Sequence, residues 1–300
     1  MSKEIHVYDR RSKKIFIEKV FGDFAMRCAY GNPTSAWFTS KIIVRNSVSR
    51  LTGRFYDSKL SKSMIPKFVL NYKIKLNESQ KSVEEFLSFN DFFARTLTHT
   101  ARPICENTLG VASPGDGRLL VFPKIENDTV AFVKWAPIRL IDLFNGNEEL
   151  VRKFQGGSCA ILRLCPSDYH RFHFPVAGTP NQTTTIKGLL HSVNPYALEL
   201  KIPVYCMNKR TLCEFKSEHF GSILILEVGA FGVGSIVQTY NAQKHVNKGA
   251  EKGFFKFGGS TTILFFEKDH VLFDTDLIQN SEKRIETLVQ MGEQVATKVS

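Results

Sequence analysis

The order of local patterns predicts an α+β protein: a β-rich core of mixed sheets, sandwich-like or barrel-like, with a helical N-terminal region and a C-terminal helix. Three observations carry this. Stretches with helical spacing lie near both ends of the 300-residue chain. From about residue 108 the middle consists of short apolar, β-branched runs separated by Gly, Pro, Asn and Asp, the texture of strands and hairpins. With 43% hydrophobic residues the chain can bury a sizeable core, and its composition excludes disordered, collagen-like and coiled-coil classes.

In chain order, residues 12–29 place Ile17, Val20, Phe21, Phe24 and Cys28 at three- and four-residue spacings with Lys13, Lys14, Lys19 and Arg27 between them, which predicts an amphipathic helix. Asn32-Pro33 ends it, and a second mixed segment runs from about Ala36 to Leu51. The runs GRLLVF, TVAFVKW, CAILRLC, SILILEVGAFGVGSIVQTY and TTILFFE read as strands. A short helix is expected around Ile138–Phe144, and helical periodicity from about Asp276 to Lys298 predicts the C-terminal helix. There is no internal repeat and no low-complexity linker, so the simplest division is a basic helical region, 1–75, followed by a β-rich body, 76–300.

Charge supports that division. Residues 1–75 hold 16 basic and 5 acidic side chains, and the other 225 residues hold 24 of each, so the net charge of +11 belongs to the first quarter. A basic chain invites a nucleic-acid reading. Phe16, Phe21, Phe24, Trp37 and Phe38 lie within the basic quarter, and aromatics among cations suit an anionic lipid surface instead; no nucleic-acid partner is expected. No run of about 18 apolar residues exists to span a bilayer, and MSKEIHVYDRRSKK lacks a signal peptide's apolar run, so a peripheral position on the cytoplasmic side of the cell membrane is expected. The six cysteines contain no C-x-x-C pair, which argues for reduced thiols rather than a zinc ribbon or redox centre.

Three places hold polar residues suited to chemistry. Ser113-Pro114-Gly115-Asp116-Gly117 holds a carboxylate between glycines at a strand start. Asp168-Tyr169-His170-Arg171-Phe172-His173 follows an apolar strand and sets two imidazoles three residues apart. Phe257-Gly258-Gly259-Ser260 puts a hydroxyl after two glycines whose backbone lets another group approach closely. Together they offer a carboxylate, a base and a nucleophile, whose chain order is free to vary. No third ligand accompanies the histidines at a metal-binding spacing, so no metal is expected. Gly229-Ala230-Phe231-Gly232-Val233-Gly234 has its glycines in the wrong order for a dinucleotide loop and no helix after it, so it reads as a bend in a sheet.

These blocks resemble the phosphatidylserine decarboxylase family of self-processing pyruvoyl enzymes. The resemblance runs from about Phe86 to Phe266 and also takes in Phe89-Asn90-Asp91-Phe92-Phe93-Ala94-Arg95, Ala101-Arg102-Pro103-Ile104, Ser192-Val193-Asn194-Pro195, Val228-Gly229-Ala230, Val233-Gly234-Ser235-Ile236 and Gly258-Gly259-Ser260-Thr261. It implies that Asp116 orients the base His173, and that Ser260 attacks the carbonyl of Gly259. The chain is then cut into a large chain, 1–259, and a small chain, 260–300, with Ser260 converted to a pyruvoyl cofactor. It further implies decarboxylation of phosphatidylserine to phosphatidylethanolamine through a Schiff base with that group, with His170 or His173 as proton donor. Partners would be the lipid, an anionic membrane surface and the two chains of one precursor, with a homodimer left open. Two rival readings are a pyruvoyl decarboxylase of a soluble amino acid and an unprocessed lipid-binding module.

Overall fold

The computed structural model describes residues 4–18, 46–126, 129–130, 138–191, 203–230, 235–258 and 260–299. Its centre is a ten-stranded mixed sheet. Nine strands follow in spatial order: Thr184–Ile186, Arg210–Ser217, Gly221–Gly229, Ser260–Phe266, Ser158–Leu164, Gly117–Phe122, Glu286–Val289, His6–Asp9 and Lys14–Ile17; Thr179–Pro180 adds to the edge of Arg210–Ser217. His6–Asp9 runs parallel to Glu286–Val289, and the other pairings are antiparallel. Smaller sheets join Ile236–Gln238, Glu251–Phe255 and Arg171–His173, and Val271–Phe273, Gln294–Lys298 and Gly110–Ala112. The β-rich expectation holds, but the described strands close no barrel.

The central strands are apolar on both faces because both faces are covered. Leu162, Leu164, Ile223, Ile225, Leu264 and Phe266 pack into one core. Their alternating neighbours Ile161, Leu224, Leu226, Ile263 and Phe265 pack into another on the opposite face. Period-two alternation divides each run between two cores, which is why CAILRLC and TTILFFE are mostly apolar rather than alternating. A third, aromatic core belongs to the helices Ile65–Tyr72 and Phe89–Phe93: Phe68, Phe86, Phe89, Phe92 and Phe93 surround Phe257, with Tyr56 of the helix Asn46–Asp57 against them. The chain therefore approaches Gly258 with Phe257 already held.

Three helical expectations change. Lys14–Ile17, expected to be helical, is an edge strand hydrogen-bonded to His6–Asp9, because its β-branched and aromatic residues suit a strand and a neighbouring strand completes its ladder; residues 19–29 lie outside the described residues. The C-terminal helix stops at Glu282, where Arg284 adopts a left-handed φ of 62°. Glu286–Val289 and Gln294–Lys298 are strands instead: open pairing positions beside Gly117–Phe122 and Gly110–Ala112 outweigh the helical spacing. Around 138–144 the first two residues are a strand and only Leu140–Leu143 is helical.

A buried ion network ties the first hairpin to the core. Glu18, which follows the strand Lys14–Ile17, pairs with Arg118 and Arg163; Arg163 also meets Glu286, and Arg118 meets Asp168. Burial pushes the Glu18 carboxyl up, but Arg163 and Arg118 outweigh it and hold it down at about 2. A carboxylate lowered on folding contributes stability above its unfolded pKa of 4.5 and loses it as pH falls toward 2. Glu18→Gln should destabilise the protein at pH 7 by about 3 to 5 kcal/mol, since it leaves two buried guanidiniums underpaired. Denaturant unfolding of both proteins should show the difference shrinking as pH falls from 4.5 to 2; a pH-independent difference would mean that the carboxylate's charge is immaterial.

Candidate active site

Asp116 sits in the turn before the strand Gly117–Phe122. A Cβ at Gly117 would lie 2.6 Å from the Arg163 carbonyl oxygen, so glycine is what lets this strand close against Ser158–Leu164. The Asp116 carboxylate is fully engaged: Arg102 Nε donates to both oxygens at 2.9 and 3.1 Å, Arg102 Nη2 donates at 2.6 Å, and Met291 N donates at 2.9 Å. Arg102 is itself braced by Glu78 at 2.9 Å.

His173 closes the strand Arg171–His173, and its backbone N donates to Pro114 O at 2.8 Å, which joins the histidine block to the aspartate turn. The Nδ1 lies 3.0 Å from Gly249 O, so Nδ1 carries the proton, and Tyr169 Oη lies 3.2 Å from Nε2. Burial pushes the His173 pKa below its usual value, only partly opposed by the Gly249 hydrogen bond. Asp116 and His173 share no hydrogen bond: Gly249 O holds the ring's Nδ1, while Asp116 is tied to Arg102 and Met291 N and reaches His173 through the turn's backbone and through space.

His170 is fully buried. Its Nδ1 donates to Asp168 O at 3.0 Å, and its Nε2 has no partner. Burial, with help from Arg95 and Arg118, lowers its pKa to about 3. The Phe93 ring covers it at 3.8 Å. Both histidines are thus neutral imidazoles protonated on Nδ1, and they differ in what meets Nε2.

Ser260 opens the strand Ser260–Phe266, in register with Gly229 on one side and Leu164 on the other. It has no exposed surface, and its Oγ has no hydrogen-bond partner. Gly258, at φ 141°, takes a conformation that favours glycine; Gly259 lies outside the described residues, as do Ser192–Pro195. Four residues after Leu164 comes Asp168, and Phe255 N donates to His170 O at 2.9 Å, so serine and histidines gather at one end of the central strands. No hydrogen bond joins Ser260 to either histidine.

The motifs contained further site residues to which sequence reasoning gave no role. Asn90 Oδ1 accepts from Phe257 N at 2.7 Å while its Nδ2 donates to Asp57 at 3.0 Å, clamping the chain just before the glycines. Tyr169 and Arg102 hold His173 and Asp116. All lay inside the quoted blocks, but only folding shows what each one touches.

A buried serine hydroxyl with no hydrogen-bond partner at the start of a central strand, following two glycines, with two neutral imidazoles carried toward the same end of the sheet, is the arrangement expected of a self-processing proenzyme. A phosphatidylserine decarboxylase profile matches residues 89–297. Three similar relatives, each a phosphatidylserine decarboxylase proenzyme, come from Clostridium botulinum (strain Alaska E43 / Type E3), Clostridium perfringens (strain SM101 / Type A) and Clostridium tetani (strain Massachusetts / E88). Identities are 46%, 45% and 45%; alignments cover 98% of this chain and 99%, 100% and 98% of the relatives. The chain belongs to the phosphatidylserine decarboxylase family.

Asn90→Ala should remove the hydrogen bond that the buried Phe257 N–H makes to Asn90 Oδ1, at a cost of about 1 to 3 kcal/mol, and loosen the chain leading to Ser260. Urea unfolding should register the loss, and any change of the intact chain with time should slow; unchanged stability would show that the clamp is dispensable.

Proposed function

We propose that this chain decarboxylates phosphatidylserine to phosphatidylethanolamine and CO2 with a pyruvoyl group made from its own Ser260. The observation that carries the reading is the Ser260 hydroxyl, buried and unpaired in a chain 46% identical to a proenzyme over 98% of its length. A hydroxyl shut away from water without a partner costs folding free energy, which fits a group reserved for reaction.

In the first stage the Ser260 oxygen attacks the carbonyl carbon of Gly259 as its proton leaves, and the amide bond to residue 260 breaks as an ester forms. Loss of the Cα proton then expels the ester oxygen from Cβ, leaving a carboxylate on residue 259 and dehydroalanine at 260. Hydrolysis of the latter releases ammonia and leaves the pyruvoyl group. His173 is the base of this stage: burial keeps it neutral, Gly249 O fixes the tautomer with its lone pair on Nε2, and the Tyr169 hydroxyl yields that lone pair to the serine proton. Asp116, locked by Arg102, holds the turn that carries His173 N.

The pyruvoyl group supplies a ketone for the headgroup amine and an electron sink for the pair left as CO2 departs. His170 carries the proton of this second stage. The headgroup ammonium gives up its proton to water as it enters, and a proton carried on the vacant Nε2, strongly acidic in this buried setting, goes to the carbon that has lost CO2, so the proton count closes.

The chain works at an anionic membrane surface on the cytoplasmic side. Supporting this, Leu51, Leu60, Leu70 and Leu87 are exposed by 70, 78, 79 and 67%, among Arg54, Lys59, Lys62, Lys67 and Lys73. The same helices reach Phe257 through Phe68 and Phe89, so a docked lipid headgroup is delivered beside the cleavage turn. Among the described residues no helix is long and apolar enough to cross a bilayer.

Intact-mass spectrometry should show the 34.0 kDa chain giving way to two fragments, the smaller with a blocked amino end. Ser260→Ala and His173→Ala should stay whole. His170→Ala should be cut but lose roughly 100-fold or more in CO2 release; if His170→Ala stays whole and His173→Ala is cut, the two imidazoles exchange roles. Because both pKa values are lowered, scission should hold its rate as pH falls through 6.5, and an inflection there would show that the base is not a buried imidazole.

Leu60→Glu with Leu70→Glu should weaken sedimentation with phosphatidylglycerol vesicles roughly 10-fold or more, and wild-type binding should fall with salt. Binding indifferent to both would move the lipid surface elsewhere on the chain.

A further inference from the structure

Arg95 follows the helix Phe89–Phe93 and is only 6% exposed. The buried arginines around it all have carboxylate partners: Arg102 has Asp116 and Glu78, Arg118 has Asp168 and Glu18, and Arg163 has Glu18 and Glu286. Arg95 has none. Its Nη2 touches Asp168 O at 3.5 Å, the limit of a hydrogen bond, and its guanidinium carbon lies 5.2 Å from the centre of the Phe92 ring. Its Nε and Nη1 are closed to water and have no hydrogen-bond partner. Asp116 and Asp168 attract it through space, but their oxygens are occupied by Arg102 and Arg118. Shutting a cation away with donors unmade is costly, so its place in the fold calls for an anion that arrives later.

The position says which anion. Asp168 O, which Arg95 touches, is also the acceptor for His170 Nδ1 at 3.0 Å, so guanidinium and imidazole lie side by side on one oxygen. Phe92 lies against the first and Phe93 against the second. Each retains unpaired nitrogen: donors on Arg95 Nε and Nη1, and an acceptor on His170 Nε2. We infer that Arg95 binds the phosphodiester of the lipid headgroup and so places the headgroup amine and carboxylate against His170. This rests on the decarboxylase reading above.

The headgroup carries two anions, and the chemistry separates them. The carboxylate loses its charge as CO2 leaves, so a cation paired with it would hold the ground state more tightly than the transition state and slow the reaction. The phosphodiester keeps its charge throughout, and a cation paired with it anchors substrate without opposing the step. Arg95 is therefore a binding residue whose removal acts on KM rather than kcat.

The test uses the full chain, with scission confirmed by intact mass, and phosphatidylserine in neutral detergent micelles, so that no charged surface contributes. Arg95→Gln should raise KM roughly 10- to 100-fold and leave kcat within about threefold of wild type. Binding of glycerophosphoethanolamine, the product headgroup without acyl chains, should weaken by a similar factor in Arg95→Gln and partly recover in Arg95→Lys. Ethanolamine, which lacks the phosphate, should inhibit wild type and Arg95→Gln equally. The inference falls if KM and glycerophosphoethanolamine binding are unchanged, if kcat drops at constant KM, if ethanolamine inhibition weakens as much as glycerophosphoethanolamine binding, or if neither variant is cut. Wild-type protein that is cut but releases no CO2 from phosphatidylserine would instead overturn the decarboxylase reading.

Discussion

The strand Ser260–Phe266 runs between Ser158–Leu164 and Gly221–Gly229, with an apolar core on each face, and the rest of the molecule depends on that placement. Backbone pairing on both sides fixes Ser260, and the two cores exclude water. A hydroxyl set at the first position of such a strand has no solvent to satisfy it and no neighbour that does so. The same pairing puts Leu164 opposite Ser260, so the chain that leaves Leu164 carries Asp168, His170 and His173 to the same end of the sheet.

Around that strand the protein keeps its charges paired and its histidines neutral. Glu18, Arg118, Arg163, Glu286 and Asp168 form one buried network, and Asp116 with Arg102 and Glu78 forms a second. Each guanidinium there neutralises carboxylates that would otherwise favour a protonated imidazole nearby. Burial does the rest, and both imidazoles keep a basic lone pair on Nε2 because a backbone carbonyl holds the proton on Nδ1. Arg95 departs from this pairing, and it stands beside the imidazole whose Nε2 is vacant.

The helices from residue 46 to 93 link the surface to the reactive turn. Their outer side carries leucines among lysines, and their inner side carries the phenylalanines that surround Phe257. Asn90, within the same run, hydrogen-bonds to the backbone of Phe257. One short stretch of chain thus meets both the solvent, where lipid would dock, and the residue that precedes Gly258 and Gly259.

Much of this was legible before folding. Apolar runs marked the central strands because a strand covered on both faces is mostly apolar, and the Asp, His and Ser blocks carried the resemblance to the family. The helix ends were not legible: the helical spacing read across Lys14–Ile17 and Glu286–Val289 was overruled by neighbouring strands whose backbone groups pair with them. Nor could residue types say that Asp116 would be held by Arg102 rather than by His173, or that Tyr169 would meet the Nε2 of one imidazole while that of the other stays without a hydrogen-bond partner. Chemical identity and periodicity are local properties and survive in a linear chain; which donor meets which acceptor is settled only when segments far apart in sequence are packed into contact.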